Sequence, residues 1–270
     1  MNWQALLGGH PTAVRVWGQG ARQLLALHCS LAHAGAWSGV ATQLGGVTFS
    51  APDLPGHGRS ADWDGAEDLH LVATRMAVAL AERIGGPVDL LGHSFGGTIA
   101  LRVALERPDL VRSLTLIEPV LFSAVRQAGA PEFDDFAKGY AEVIETIRQN
   151  PAAAAALFHN RWGHGDFTRL PALQRDYMTH RMGLVLGQNP VLLDDIAGLS
   201  LPGRIEGLAR PVLLLEGADS PPVIGAIQRV LAARLPQARR VIVPGAGHML
   251  PITHAAAVAT EIRRLLADTA

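Results

Sequence analysis

The sequence predicts an α/β fold: a mostly parallel central sheet flanked by helices, with a helical cap inserted into it. Three observations carry that expectation. In the first part of the chain, short apolar runs alternate with helical patterns, as they do when a parallel sheet is covered on its faces. From about 121 to 205 the strand pattern stops, and apolar residues recur at helical spacing instead. After that stretch the alternation resumes and continues to the end of the chain.

Taken in order, Ala13 to Trp17, Gln23 to His28 and Val47 to Ala51 read as strands. A helix follows from about Leu69 to Ile84. Val88 to Leu91 is a short continuous apolar run, as expected of a strand buried on both faces. It leads into Gly92-His93-Ser94-Phe95-Gly96 and a helical stretch ending near Pro108, and Ser113 to Ile117 reads as the next strand. In the cap, Phe136, Tyr140, Val143, Ile144 and Ile147 lie at helical spacing. The cap also holds Phe122, Phe133, Phe136, Phe158, Phe167, Tyr140 and Tyr177, an aromatic set suited to roof an apolar pocket or to glue the cap to the sheet. Val212 to Leu215 is a strand, Val223 to Leu235 a helix and Arg240 to Val243 the last strand. A closing helix then presents Val258, Ile262, Leu265 and Leu266 on one face. This divides the chain into a core of residues 1–120 and 206–270 and a cap of 121–205.

Composition narrows the function classes. Hydrophobic residues make up 49% and charged residues 17%, which fits a folded globular chain. The net charge is −1 and the cations are scattered, so no basic stripe offers itself to nucleic acid. Every apolar stretch is interrupted before the roughly 20 residues a membrane helix needs. Cys29 is the single cysteine, and Met1 to His10 lack the basic start and apolar run of a secretory signal, so a cytoplasmic location is expected. No cofactor or metal is expected either. A phosphate-cradling glycine loop is missing, and His159, His164 and Asp166 fall in the cap without a fixed ligand spacing.

Gly92-His93-Ser94-Phe95-Gly96 matches Gly-x-Ser-x-Gly, with a strand before it and a helix after it. A sharp strand-to-helix turn lifts the central hydroxyl above the sheet, and glycines flank it because side chains would strike neighbouring backbone. The helix that begins there aims free N–H groups at developing negative charge. Serine needs a base within hydrogen-bond reach. His248, in Gly245-Ala246-Gly247-His248 just after the last strand, lies at the same edge of the sheet.

With Asp53-Leu54-Pro55-Gly56-His57-Gly58-Arg59-Ser60 and the segment from His28 to Trp37, these motifs resemble, in this order, the α/β-hydrolase superfamily across nearly the whole chain. The resemblance implies Ser94 as nucleophile, His248 as base, and an oxyanion hole from the backbone N–H groups of Phe95 and Ser30. It implies a structural role for His57. The chain departs from the family pattern at two places. Cys29 replaces the usual glycine after His28, so the loop is expected to differ there. The acid is open between Asp219, one residue early in Gly217-Ala218-Asp219-Ser220, and Glu118, at the end of the strand after the elbow; Glu118 is preferred on register.

The expected activity is hydrolysis of a small, mostly apolar ester, thioester or lactone through an acyl-enzyme, with a small-molecule substrate and neither nucleic acid nor membrane as partner. The alternatives are hydrolysis of carbon–carbon bonds in diketone-type ring-fission products and a low-turnover binding protein on the same fold.

Overall fold

The structure, a computed structural model, describes residues 2–269. An eight-stranded sheet runs through the molecule in the order β1-β2-β4-β3-β5-β6-β7-β8. The strands are β1 (Asn2–Leu7), β2 (His10–Trp17), β3 (Arg22–Leu27), β4 (Val47–Pro52), β5 (Val88–His93), β6 (Val111–Ile117), β7 (Val212–Gly217) and β8 (Ala238–Val243). Only β1 and β2 run antiparallel to their neighbours. From β4 across to β8 every pairing is parallel.

Helices cover both faces: α1 (Ser38–Ala41), α2 (Leu69–Arg83), α3 (Phe95–Glu106), then α4 (Phe122–Gln127), α5 (Glu132–Gln149), α6 (Pro151–Trp162) and α7 (Ala172–Leu192) between β6 and β7, and finally α8 (Pro222–Arg234), α9 (Leu250–Thr253) and α10 (Ala255–Asp268). β5 and β7 are buried at every position, which is why they read as unbroken apolar runs rather than alternating ones. Of the two polar residues in β5, Asp89 and His93, the first is paired with a cation. Its carboxylate takes Arg22 Nε at 2.5 Å and the hydroxyl of Ser113 at 2.7 Å.

The N-terminal strand is the element the sequence reading missed. Its burial alternates, as suits an edge strand, but its composition is not strongly β-like. The available signal was the turn: Gly8 and Gly9 both have positive φ, at 54° and 87°, and join β1 to β2 as a two-residue hairpin. In the cap, α5 buries Phe136, Tyr140, Val143 and Ile147, the stripe expected from their spacing, while Ile144 sits at its margin. Among the described residues, no helix is long and apolar enough to cross a membrane.

Candidate active site

The carboxyl ends of β3, β5, β6, β7 and β8 converge on one region: His28, Ser94 and Glu118 directly follow β3, β5 and β6, and Ser220 and His248 lie in the loops after β7 and β8. After β5 the chain turns into α3 at Ser94, whose φ of 55° and ψ of −117° no ordinary strand or helix residue adopts. Gly92 and Gly96 make that turn possible. A Cβ on Gly92 would sit 2.2 Å from the Gly96 carbonyl oxygen, and one on Gly96 would sit 2.3 Å from that of Leu27. Neither Ser94 Oγ nor the Phe95 amide has a hydrogen-bond partner among the described residues. Both sit at the start of α3, where the helix leaves N–H groups free.

After β6 comes Glu118, also left-handed at φ 46° and fully buried. Its carboxylate is held on both oxygens. Oε1 accepts from the Gly217 amide at 2.6 Å and from the Ser220 hydroxyl at 2.5 Å. Oε2 accepts from His248 Nδ1–H at 2.5 Å. The His248 ring lies against Trp162 of the cap, with centroids 4.9 Å apart, and its carbonyl accepts from His93 Nε2 at 2.8 Å. Asp219, the other candidate acid, points away. It is exposed, and its contact with this region is its backbone amide bonded to the Ala246 carbonyl. Ser220 fills the slot where an acid was looked for, and it serves Glu118 instead. That role was not foreseen from the sequence.

After β3, the loop from His28 to Trp37 is pinned by two buried imidazoles. His28 donates from Nδ1 to the Cys29 carbonyl and accepts the Leu54 amide on Nε2. His57 donates from Nδ1 to the Pro55 carbonyl and accepts the Leu31 amide on Nε2 at 3.2 Å. Each ring needs one bare nitrogen for this, and burial pushes both down to about 3, so both stay neutral. The Asp53 carboxylate accepts the amides of Ala34 and Arg59 and ties the two loops together. Leu31 N–H is committed to His57, whereas Ser30 N–H has no partner among the described residues.

Cys29 needs no glycine conformation. The left-handed residue of this loop is Leu31, at φ 59°. The thiol is buried and pushed up to about 12, so it is held protonated.

Ser94, His248, Cys29 and Ser30 border one cavity of about 780 Å³, roofed by the cap. Of the cap aromatics, Phe122, Tyr140, Phe158 and Tyr177 line it, whereas Phe133, Phe136 and Phe167 pack behind. Tyr177 also ties the cap to the sheet, donating to the Ala32 carbonyl at 2.8 Å and accepting the Gly58 amide at 2.9 Å. Arg181 adds a bond to the Gly56 carbonyl. Among the described residues, no group of three or more His, Cys, Asp or Glu side chains could hold a metal ion. His159 donates to or accepts nothing from His164 or Asp166; its Nε2 bonds the Gly165 carbonyl.

Chemically, the site offers a hydroxyl on a strained turn beside the cavity and an imidazole oriented by a buried carboxylate, and the Phe95 and Ser30 amides have no partner among the described residues. A lipase of Mycobacterium tuberculosis, LipV, is 34% identical over 131 residues, which span 46% of this chain and half (50%) of that protein. The pimeloyl-(acyl-carrier protein) methyl ester esterase of Nitrosomonas europaea is 29% identical over 239 residues, 83% of this chain and 88% of that protein. The solved structure of a hydrolase from Pseudomonas aeruginosa, 19% identical, superposes with a TM-score of 0.77 over 98% of both chains. The model of the alpha/beta hydrolase family matches residues 24–261, so the chain belongs to the alpha/beta hydrolase family.

Proposed function

We propose that this chain is a serine hydrolase of carboxylic esters with a mostly apolar acyl group, working through Ser94, His248 and Glu118. The observation that carries the reading is the carboxylate–imidazole pair. A buried glutamate fixes His248 at Nδ1 by a 2.5 Å bond, leaving Nε2 for the cavity that Ser94 borders. The similarity to an esterase and a lipase supports the ester class.

In the proposed cycle, Ser94 Oγ attacks the ester carbonyl carbon as His248 Nε2 takes the hydroxyl proton. The carbonyl oxygen becomes an oxyanion and accepts from the amides of Phe95 and Ser30. Glu118 stabilises the imidazolium and keeps the ring in the tautomer with Nδ1 protonated. The tetrahedral intermediate collapses, the carbon–oxygen bond to the alcohol breaks, and the leaving oxygen takes the proton from His248. Water then repeats the sequence on the acyl-enzyme, giving the acid and free Ser94. No hydrogen bond joins Ser94 to His248 before substrate arrives, and a contact of this kind can tighten only in the substrate complex. The cavity volume suits an acyl group of several carbons, and its lining is largely apolar.

The test is hydrolysis of a p-nitrophenyl ester series, acetate to decanoate, by wild type and Ser94→Ala. Turnover with a chain-length optimum, reduced by about 10³ or more in Ser94→Ala, is the expected result. Turnover that survives the substitution would overturn the assignment.

A further inference from the structure

The face of α7 that borders the cavity presents Met178, Val185 and Leu192, and in their midst Gln188. An amide in an apolar wall has to be satisfied, and this one is satisfied by half. Gln188 is 2% exposed. Its Oε1 accepts from the Ser30 hydroxyl at 2.7 Å. Its Nε2, which carries two N–H donors, has no acceptor among the described residues. The neighbouring polar groups of the cap do not share this condition. The Tyr140 hydroxyl is used by Asn189, and the Tyr177 hydroxyl by Ala32 and Gly58.

A role confined to holding Ser30 would use the carbonyl half of the amide and nothing more, and would leave a buried donor that destabilises the fold. Gln188 borders the cavity, so a ligand held there can bring an acceptor to its amide. The position of that acceptor follows from the proposed cycle. In that cycle the leaving group takes its proton from His248. Gln188 is bonded to Ser30, whose amide is assigned to the oxyanion in that cycle, so a ligand oxygen it meets is near the reacting carbonyl.

We propose that Gln188 is a specificity-determining donor. It hydrogen-bonds an oxygen carried on the acyl chain, a keto, hydroxyl or ether oxygen a few bonds from the reacting carbonyl. The substrate class is then an oxygen-substituted acyl ester rather than a plain fatty ester. This rests on the serine-hydrolase reading for the direction of the acyl group, but not for the existence of the donor. A plain alkyl chain filling the cavity would leave Nε2 without an acceptor, which is how a buried donor disfavours a ligand lacking one.

The experiment uses p-nitrophenyl hexanoate and its isosteres with one methylene replaced by oxygen at the third, fourth or fifth position. Their binding to Ser94→Ala is measured by calorimetry, with and without Gln188→Leu. The expected result is that one isostere binds about tenfold more tightly than hexanoate, and that Gln188→Leu removes the difference. Gln188→Met, a second apolar substitution of similar length, guards against a folding defect in the first. No isostere preference, or a preference that persists in both Gln188 variants, would overturn the proposal. Wild-type turnover of the hexanoate ester, lost in Ser94→Ala, tests the hydrolase reading separately. Its failure beside a Gln188-dependent preference would remove the chemistry and leave the donor standing.

Discussion

The carboxyl edge of the sheet and the cap face each other across one cavity, yet they are built on different terms. At the sheet edge every polar group is placed by backbone. Ser94 and Glu118 sit at strained positions on consecutive parallel strands, and Glu118 is fixed by a backbone amide and a hydroxyl as well as by His248. The loop from His28 to Trp37 is held by two neutral imidazoles whose nitrogens all bond to main chain. In the cap, by contrast, most of what borders the cavity is apolar side chain on helices, and the links to the sheet are a few long-range bonds from Tyr177, Arg181 and Gln188. The lesson is a division of labour. The polar groups at the sheet edge are held by strand ends and turns, and the cavity wall opposite them is built from the faces of helices.

The largest effect expected from this contrast is at the acid. Glu118→Gln keeps the shape but replaces an acceptor oxygen facing His248 Nδ1 with a group that can turn its N–H there. Turnover should fall by about 10³–10⁴, as expected when the base is held in the wrong tautomer. Asp219→Asn, on an exposed side chain without a partner in the site, should stay within about twofold of wild type. Steady-state kinetics on a single p-nitrophenyl ester checks both, and the reverse ranking would move the acid out of β6.

That ranking also marks what the sequence could and could not say. The elbow was legible because its requirements are steric: no residue larger than glycine fits at Gly92 or Gly96. Glu118 was favoured over Asp219 because a strand end has a fixed register, so a carboxylate there has a predictable place. Ser220 was visible only as a gap where an acid was expected; that it donates to Glu118 depends on two strand ends 102 residues apart in the chain. Gln188 left no trace at all. Its partner Ser30 lies 158 residues away, and on its own helix it reads as one polar residue among many. The strand β1 was lost for a different reason, since an edge strand needs little hydrophobic pattern and the Gly8-Gly9 turn was the stronger signal.

A smaller effect should separate the two regions by pH. His28, His57 and His70 are each pushed from 6.5 down to about 3 by burial in the core. Between those values the unfolded chain binds protons that the folded one does not, so folding stability falls as pH drops below 6.5 and is fully present above it. Each such histidine contributes a slope of up to about 1.4 kcal/mol per pH unit in that window. The melting temperature by calorimetry should therefore fall by several degrees between pH 7.5 and pH 5.5. A melting temperature that is flat or rises over this range would mean that the imidazoles pinning the loops can take up protons in place.

The most direct measurement is peptide mapping after reaction with a fluorophosphonate, which traps an activated serine without requiring the right substrate. The account predicts phosphonylation on the peptide carrying Ser94, lost in Ser94→Ala and slowed by orders of magnitude in His248→Ala. Labelling at another residue, or labelling of Ser94 at an undiminished rate without His248, would contradict it.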